Sequence, residues 1–326
     1  MPFGSELVFQ MEQLPLFQFH VEICEDVWVP IPPSSFAALA GATVLVNLSA
    51  SNIVIGKSEY RHQLVAQQSA RCLSAYMYTS AGRGESSTDM AWDGQALIYE
   101  NGELLAESER FLGYSHLIFS DVDLERLSRE RMRQTTFGQS ARRHQDEVRK
   151  FRSVPVPVRP PLDDSELPLE RRVARFPYVP ADPRRRDARC KEVYNIQVQA
   201  LVQRLSASRM SKVVIGISGG LDSTHALLVC AEAMDALDLP RSNILAVTMP
   251  GFATSAGTRR NAEDLAVGLG CTFEELDIRA TATQMLTEMG HPYGEYARTG
   301  VLPEGASERD LYDVTFENVQ AGLRTD

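Results

Sequence analysis

The chain has 326 residues, of which 44% are hydrophobic and 23% are charged. At roughly 150 residues per domain this length predicts two domains, and the ordinary glycine and proline content excludes collagen-like, coiled-coil and low-complexity chains. The 43 acidic and 33 basic side chains give a net charge of −10, which excludes a general attraction to nucleic acid or to anionic membranes. Any phosphate group must therefore be bound locally.

The sequence carries no sign of membrane insertion or secretion. No stretch approaches the roughly 20 consecutive apolar residues of a membrane-spanning helix, and the first residues lack the basic and apolar regions of a signal peptide. We therefore expect a cytoplasmic protein. The cysteines are widely spaced and form no CxxC pair, so neither a disulfide framework nor a zinc site is predicted. They are Cys24, Cys72, Cys190, Cys230 and Cys271.

The first half of the chain is predicted to form a strand, a helix, a strand and then a hairpin. Short apolar runs at 17–24 and 42–50 predict two strands, and a helical pattern joins the second run to a further strand at 77–82. Two turn dipeptides, Asp93-Gly94 and Asn101-Gly102, then lie between alternating residues, which is a strong hairpin signal. These elements predict a parallel sheet that ends in a hairpin.

A change of composition between Arg142 and Arg189 divides the chain. Eight of the 17 prolines fall in this segment, and each removes a backbone donor and disfavours helix in the residue before it. Interleaved acidic residues dilute the field of its arginines, which argues against an arm that binds nucleic acid. We predict that 142–189 is a solvated linker without a regular core element, between domains at 1–141 and 190–326.

The second half of the chain alternates helices and strands. A helical pattern at 193–205 precedes a buried strand at 212–218, a glycine loop, and a helix from about Ser223 to Asp238. Further strands are predicted at 243–251 and after a helix around 259–270. This order predicts a doubly wound parallel sheet, whose ligands bind at the carboxyl ends of the strands.

The first candidate site is Cys24, which closes an apolar strand and precedes Glu25 and Asp26. A cysteine nucleophile needs a neighbouring base or a lowered thiol pKa, and the backbone amides after it can stabilise an oxyanion. A position between strand and turn therefore suits amide hydrolysis. The alternative is a buried structural cysteine. Glu22 shares a face of the strand with Cys24 and is a candidate base.

The second candidate site is the segment GISGGLDS, which lacks the lysine of a P-loop. It comprises Gly216, Ile217, Ser218, Gly219, Gly220, Leu221, Asp222 and Ser223. Small residues between a strand and a helix let backbone N–H groups surround a pyrophosphate at the helix N-terminus, and Asp222 is a candidate Mg²⁺ ligand. A purely structural turn is the alternative, but it does not account for the order of strand, SGGxDS and helix.

The segments VEICEDVW and NLSASNIVIGKSEYR resemble the nitrilase, or carbon–nitrogen hydrolase, family. The catalytic triad of that family is a glutamate, a lysine and a cysteine, so the resemblance implies that Cys24 is the nucleophile. It also implies that Ser51 and Lys57 contact glutamine, although arginine is common at the second of these positions. The family's glutamate and lysine precede the cysteine, whereas Lys57 and Glu59 follow it and do not match the triad.

The segment GISGGLDS resembles the ATP pyrophosphatases, which adenylate a carbonyl or carboxylate and release pyrophosphate. Both halves in this order resemble the glutamine-dependent NAD⁺ synthetase family, and Asn318 in DVTFENVQAGLRTD matches the asparagine of its deamido-NAD⁺ site. The resemblance implies glutamine, ATP with Mg²⁺, and deamido-NAD⁺ as ligands, and a homo-oligomer. The implied fold is α/β: a partial nitrilase-like α-β-β-α sandwich, then a Rossmann-like ATP-pyrophosphatase parallel sheet with flanking helices.

The family's upstream triad residues and downstream ATP and Mg²⁺ residues have no counterpart here, so we expect a piece truncated at both ends. Residues 1–141 would be the C-terminal part of the glutaminase domain and 190–326 the N-terminal part of the synthetase domain. Three alternatives stay open: an SGGxDS amidotransferase with another acceptor, a stand-alone nitrilase-type amidase, and a non-catalytic fragment. His225 is expected to pack or to face solvent, and Arg324 to approach a phosphate or to cap a helix.

Overall fold

The computed structural model describes residues 3–87, 89–157, 168–173, 175–252 and 254–325. The described chain divides into two compact units, Met1–Arg175 and Phe176–Asp326. Each unit contains a hydrophobic core of its own. The division falls inside the predicted linker.

Within the described residues, the first unit is built on a seven-stranded mixed sheet with the order β6-β5-β4-β3-β2-β1-β7. The strands are β1 (Leu7–Met11), β2 (Gln18–Ile23), β3 (Val44–Ser49), β4 (Ala75–Ser80), β5 (Ala96–Glu100), β6 (Glu103–Glu107) and β7 (Arg152–Val156). Strands β2, β3 and β4 run parallel, and β5 and β6 form an antiparallel hairpin. The predicted parallel strands and terminal hairpin are therefore confirmed.

Helices cover both faces of this sheet. They are α1 (Pro33–Leu39), α2 (Lys57–Cys72), α3 (Leu124–Arg133), α4 (Thr135–Arg143) and α5 (Gln145–Val148). Because successive strand residues point to opposite faces, Leu45 and Tyr76 enter a core with Val65 of α2, whereas Val44 and Ala75 pack with Leu127 of α3 on the other face. The predicted α/β class is confirmed.

The two turn dipeptides have different roles. Asn101 and Gly102 join β5 to β6 with φ angles of 47° and 83°, as expected for a tight hairpin turn. Asp93 and Gly94 instead precede β5, and the Asp93 side chain is buried. The prediction that Asp93-Gly94 turns a hairpin is therefore wrong, because this aspartate pairs with a buried arginine instead of stabilising a turn.

Regular structure extends into the predicted linker from both sides. Strand β7, which contains Pro155, pairs with β1 at the edge of the sheet, where one side of a strand needs no ladder hydrogen bonds. The helix α6 (Pro183–Ser208) begins inside the linker as well, with the Asp182 side chain accepting from the backbone N–H of Arg184. The expectation of no regular element in 142–189 is wrong at these places; the acidic residues Asp163, Asp164 and Glu166 lie outside the described residues.

The second unit alternates helices and strands as predicted. After α6 follow β8 (Val213–Gly216), α7 (Leu221–Ala236), β9 (Ile244–Thr248), α8 (Ala256–Gly268), β10 (Thr272–Glu275), α9 (Arg279–Glu288), α10 (Pro292–Thr299) and α11 (Val314–Thr325). In the described part of this unit the strands form a parallel three-stranded sheet, β10-β9-β8. Its core includes Leu227 and Met234 of α7 and Ile244 of β9. Across the described ranges of the chain, no helix is both long enough and apolar enough to span a membrane.

Arg131 of α3 donates hydrogen bonds to backbone carbonyls of two neighbouring chain segments. The Arg131 guanidinium donates to the carbonyls of Leu73, Ala42 and Cys72 at 3.0, 2.6 and 3.0 Å. Burial lowers the pKa of Arg131 to about 10, so the side chain is still a cation at neutral pH.

We expect Arg131→Met to destabilise the first unit by about 2–4 kcal/mol, because it leaves enclosed carbonyl groups without donors. Urea unfolding followed by circular dichroism measures this loss. Arg133→Met is the matched control, since its side chain on the same helix is 78% exposed. Equal urea midpoints for Arg131→Met and Arg133→Met would contradict a stabilising role of the Arg131 hydrogen bonds.

Candidate active sites

Cys24 lies at a sharp turn between β2 and a 3₁₀ turn. Its φ angle is +50°, in the left-handed region that residues with a Cβ rarely adopt. The residue begins the turn Cys24–Trp28, and the backbone N–H of Ile23 donates to the Asp26 carboxylate at 2.8 Å. A strained turn between a strand and a helix is where hydrolase nucleophiles are presented to a substrate. The Cys24 side chain is partly exposed.

Glu22 is 2% exposed and serves a different purpose from the one considered for it. Its carboxylate accepts from the backbone N–H of Ser34 at 3.0 Å and from the Tyr76 hydroxyl. Burial, and next the Glu22 charge, raise the pKa of Tyr76 well above its usual range, so the phenol stays protonated and donates. These contacts anchor the start of α1 and assign Glu22 a structural role in place of a base for Cys24.

Ser51 and Lys57 lie after β3, at the same edge of the sheet as Cys24. Parallel pairing places Ile23 opposite Leu48, so the ends of β2 and β3 meet there. Ser51 is buried, and Lys57 begins α2 with its amine donating to the Asn52 carbonyl at 2.7 Å.

The Lys57 ammonium lies 5.4 Å from the centroid of the Trp28 ring, within the range of a cation–π contact. Burial and then the Arg61 cation lower the pKa of Lys57, while the electrostatic effects of Cys24, Asp93 and Glu25 oppose this shift. The structure therefore places Lys57 in the electrostatic neighbourhood of Cys24, and a contact between Lys57 and glutamine stays a prediction.

A buried ion pair behind this edge was not predicted from the sequence. The Arg61 guanidinium donates to both carboxylate oxygens of Asp93 at 2.9 Å and to the Ser51 carbonyl at 2.8 Å. Arg61 and Asp93 are each 1% exposed. Their pairing fixes the loop that carries Ser51. An arginine on the apolar face of a predicted helix indicates that a buried acidic partner exists. The sequence pattern does not show that this partner is Asp93.

In the second unit the glycine loop connects β8 to α7. Gly219 has a φ of +75°, and a Cβ there would overlap the Thr258 carbonyl of α8. The Ser223 hydroxyl accepts from the backbone N–H of Ser218 at 3.1 Å and closes the loop. Because the first N–H groups of a helix have no intrahelical partner, those of Leu221 and Asp222 are available to an anion.

The loop borders a cavity of about 540 Å³. The cavity is lined by Gly216, Ile217, Ser218, Thr248, Met249, Thr254, Thr258 and Arg324. Arg324 reaches it from α11, with Nε donating to the Met249 carbonyl at 3.2 Å. This volume is in the range of small-molecule sites, and its position at the ends of β8 and β9 is the predicted one. The contribution of Thr258 was not predicted, because it depends on the packing of α8.

Asp222, Asn318 and His225 lie outside the lining of this cavity. Asp222 is exposed in the first turn of α7. Since the described residues contain no group of three His, Cys, Asp or Glu side chains that could hold a metal, Asp222 fits a Mg²⁺ ion only with phosphate oxygens as further ligands. Asn318 is exposed on α11 and does not line the cavity. His225 bonds Gln197 at 3.1 Å, which agrees with the expected packing role.

Comparison with known proteins covers both units. Residues 193–304 match the NAD synthase family. The chain is 54% identical over 327 residues to the glutamine-dependent NAD(+) synthetase of Mycobacterium leprae, with 100% of the chain and 46% of the relative aligned. It is 55% identical over 324 residues to that of Mycobacterium tuberculosis H37Rv, with 99% of the chain and 46% of the relative aligned.

The chain resembles glutamine-dependent NAD(+) synthetases along its whole length. The resemblance predicted from the sequence is thereby confirmed. The chain spans about half the length of these curated relatives. A solved glutamine-dependent NAD+ synthetase from Acinetobacter baumannii, in complex with ADP, is 20% identical, with 99% of this chain and 47% of that chain aligned at a TM-score of 0.34.

Because Gly219 lies so close to the Thr258 carbonyl, adding one methyl group there should strongly lower the stability of the second unit. We expect Gly219→Ala to destabilise the second unit by about 2 kcal/mol or more, because φ is positive and the Cβ meets backbone that cannot move alone. Thermal unfolding measures the loss. Gly268→Ala is the control, since a Cβ there meets no described atom within 4 Å; equal melting temperatures would contradict the prediction.

The cysteines should differ sharply in reactivity. Burial raises the pKa of the Cys72 thiol to about 12, so only about one molecule in ten thousand carries a thiolate at pH 8. We expect iodoacetamide at pH 8 to label the exposed Cys190 while Cys72 stays unmodified in the folded chain. Peptide mass spectrometry with a urea-unfolded sample as control checks this, and rapid native labelling of Cys72 would be the contrary result.

Proposed function

We propose that the polypeptide containing this chain is a ligase that amidates deamido-NAD⁺ to NAD⁺ with ATP, using ammonia released from glutamine, in NAD biosynthesis. The observation that supports this most strongly is the 54% identity to a glutamine-dependent NAD(+) synthetase across the whole chain. Two separate sites support it as well. One presents a thiol at a strained turn, and the other is a cavity beside an SGGxDS loop.

At the first site, Cys24 is the nucleophile. Its thiolate attacks the side-chain amide carbon of glutamine and the C–N bond breaks, which yields a thioester. The amide nitrogen takes up the proton that the thiol lost and leaves as ammonia. Water then hydrolyses the thioester to glutamate and restores the thiol. Ser51 and Lys57 contact glutamine; the Lys57 ammonium offers a single point charge where an arginine would offer a fork of donors.

At the second site, the carboxylate of deamido-NAD⁺ attacks the α-phosphorus of ATP and pyrophosphate leaves. Ammonia then attacks the adenylated carbonyl carbon and AMP leaves. Backbone N–H groups of the segment Gly216 to Ser223 hold the pyrophosphate, and Asn318 contacts deamido-NAD⁺. A Mg²⁺ ion held by Asp222 and phosphate oxygens would neutralise the charge of the leaving pyrophosphate.

The two units correspond to the two reactions. The first unit, which extends the predicted domain 1–141 into the linker as far as Arg175, is part of the glutaminase domain. The second unit, which extends the predicted domain 190–326 back to Phe176, is part of the synthetase domain. A cytoplasmic location and a homo-oligomer remain predictions.

Substitution of Cys24 should affect NAD⁺ synthesis from glutamine differently from NAD⁺ synthesis from ammonia. In the full-length natural polypeptide, we expect Cys24→Ala to abolish NAD⁺ synthesis from glutamine and to spare synthesis from ammonium chloride, because only the first needs the thiol. Chromatographic quantification of NAD⁺ measures both rates. Cys190→Ala, at an exposed thiol, is the control that keeps both. Equal loss of both rates in Cys24→Ala would refute the two-site assignment.

Substitution of Asp222 tests the second site alone. We expect Asp222→Ala to stop synthesis from either nitrogen source while glutamine hydrolysis continues, because adenylation needs the Mg²⁺ ligand and thioester chemistry does not. Asp264→Ala is the matched control, since Asp264 is an exposed acid on α8. Full synthesis by Asp222→Ala would remove Asp222 from the site, and synthesis from a different acceptor would indicate another SGGxDS amidotransferase.

A further inference from the structure

The left-handed backbone of Cys24 requires contacts that hold it. A residue with a Cβ adopts this region only when its surroundings make the alternatives worse. The turn also determines where the thiol and the backbone amides after it point, and both are reacting or stabilising groups in the proposed thioester chemistry. The residue that holds the Cys24 backbone is therefore of functional interest.

Asn47 of β3 makes that contact. Parallel pairing places Asn47 opposite Glu22. Glu22 lies two residues before Cys24 in the chain. Its side-chain Nδ2 donates to the Cys24 carbonyl oxygen at 3.2 Å. Asn47 is 0% exposed, so water cannot replace this hydrogen bond and the Cys24 carbonyl keeps its direction.

The orientation of the Asn47 amide is determined by a second hydrogen bond. The Ser49 hydroxyl, which is buried on the same face of β3, donates to Asn47 Oδ1 at 2.7 Å. Because Oδ1 accepts there, the NH₂ end of the amide must face Cys24. Glu22, which lies opposite Asn47, accepts from the Tyr76 hydroxyl and from the backbone N–H of Ser34 in α1.

We propose that Asn47 is a positioning residue, which holds Cys24 in the left-handed conformation from which it attacks the amide, and that Ser49 orients it. This inference rests on the proposed function of Cys24. Without the hydrogen bond, the Cys24 backbone relaxes toward the extended region, and its thiol and the following amides rotate away. Ser51 and Lys57 belong to another loop, so substrate binding is left unchanged.

The test uses two variants and a matched control in the full-length natural polypeptide. Asn47→Leu keeps the branched side chain of four heavy atoms but has no donor, and Ser49→Ala frees the Asn47 amide with a smaller perturbation. Ser69→Ala is the control, because this serine is also fully buried and donates at 2.7 Å to the Ser74 carbonyl. The kcat and KM of glutamine hydrolysis and the rate of ammonia-driven synthesis are measured.

We expect kcat for glutamine hydrolysis to fall on the order of 10-fold or more in Asn47→Leu and roughly 3-fold in Ser49→Ala, since small misplacements of reacting groups have large effects on rate. KM should stay within about 2-fold, and ammonia-driven synthesis and the Ser69→Ala control should be unchanged. An unchanged kcat in both variants would overturn the proposal. A joint loss of kcat, KM and ammonia-driven synthesis would overturn it too, because that pattern indicates a purely structural role.

A second measurement keeps this inference separate from the proposed function. If the unaltered protein hydrolyses no glutamine, the proposed function of Cys24 fails, but the positioning of its thiol is still measurable. The ratio of iodoacetamide labelling at Cys24 to labelling at the exposed Cys190 should fall about 3-fold or more in Asn47→Leu and Ser49→Ala but not in Ser69→Ala. An unchanged ratio would show that Asn47 does not position Cys24.

Discussion

The parallel pairing of β2 with β3 is the constraint on which the first site depends. In this register Glu22 lies opposite Asn47 and Ile23 opposite Leu48, so both strands end at one edge of the sheet. Cys24, the proposed nucleophile, follows β2 directly, and Ser51 and the start of α2 at Lys57 follow β3. A shift of one residue would exchange the two faces of a strand, which would place Glu22 or Asn47 on the opposite face of the sheet and separate Asn47 from the Cys24 carbonyl.

Buried polar side chains keep the loops at that edge in place. Arg61, Asp93, Glu22 and Asn47 are all almost inaccessible to water, and such burial is tolerated only when hydrogen bonds replace those to water. Arg61 holds the Ser51 carbonyl, Glu22 holds the N-terminus of α1, and Asn47 holds the Cys24 carbonyl. The backbone segments that form the candidate site are therefore held in place by hydrogen bonds to buried side chains.

In the second unit, glycines at the strand ends allow helices to pack closely beside the candidate site. Gly219 permits the loop to approach the backbone of α8, and a Cβ on Gly251 would overlap the Gln320 side chain of α11. Gln320 in turn accepts from the backbone N–H of Phe252 at 2.9 Å. Close packing of helices on the strand ends leaves a cavity lined by a glycine, four hydroxyl-bearing residues and an arginine beside Ile217 and Met249.

Much of the fold and both candidate sites could be predicted from the sequence. Alternating and helical patterns predicted β2, β3, β4 and the strands and helices around the glycine loop, since these patterns record which side chains face water. Cys24 stood out because VEICEDVW resembles the nitrilase family, and GISGGLDS because a strand, a glycine loop and a helix follow one another. Strand β7 was missed because a proline such as its Pro155 disfavours a strand except at a sheet edge, and a position at the edge is a property of the whole sheet.

The pairing of Arg61 with Asp93, the role of Glu22 in anchoring α1, and the hydrogen bond from Asn47 to Cys24 were decided by tertiary structure alone. Their partners are 32, 12 and 23 residues apart in the chain. Local periodicity records burial, but it does not record which buried groups meet. That depends on strand register and helix packing, which arise from the cooperative folding of the whole unit.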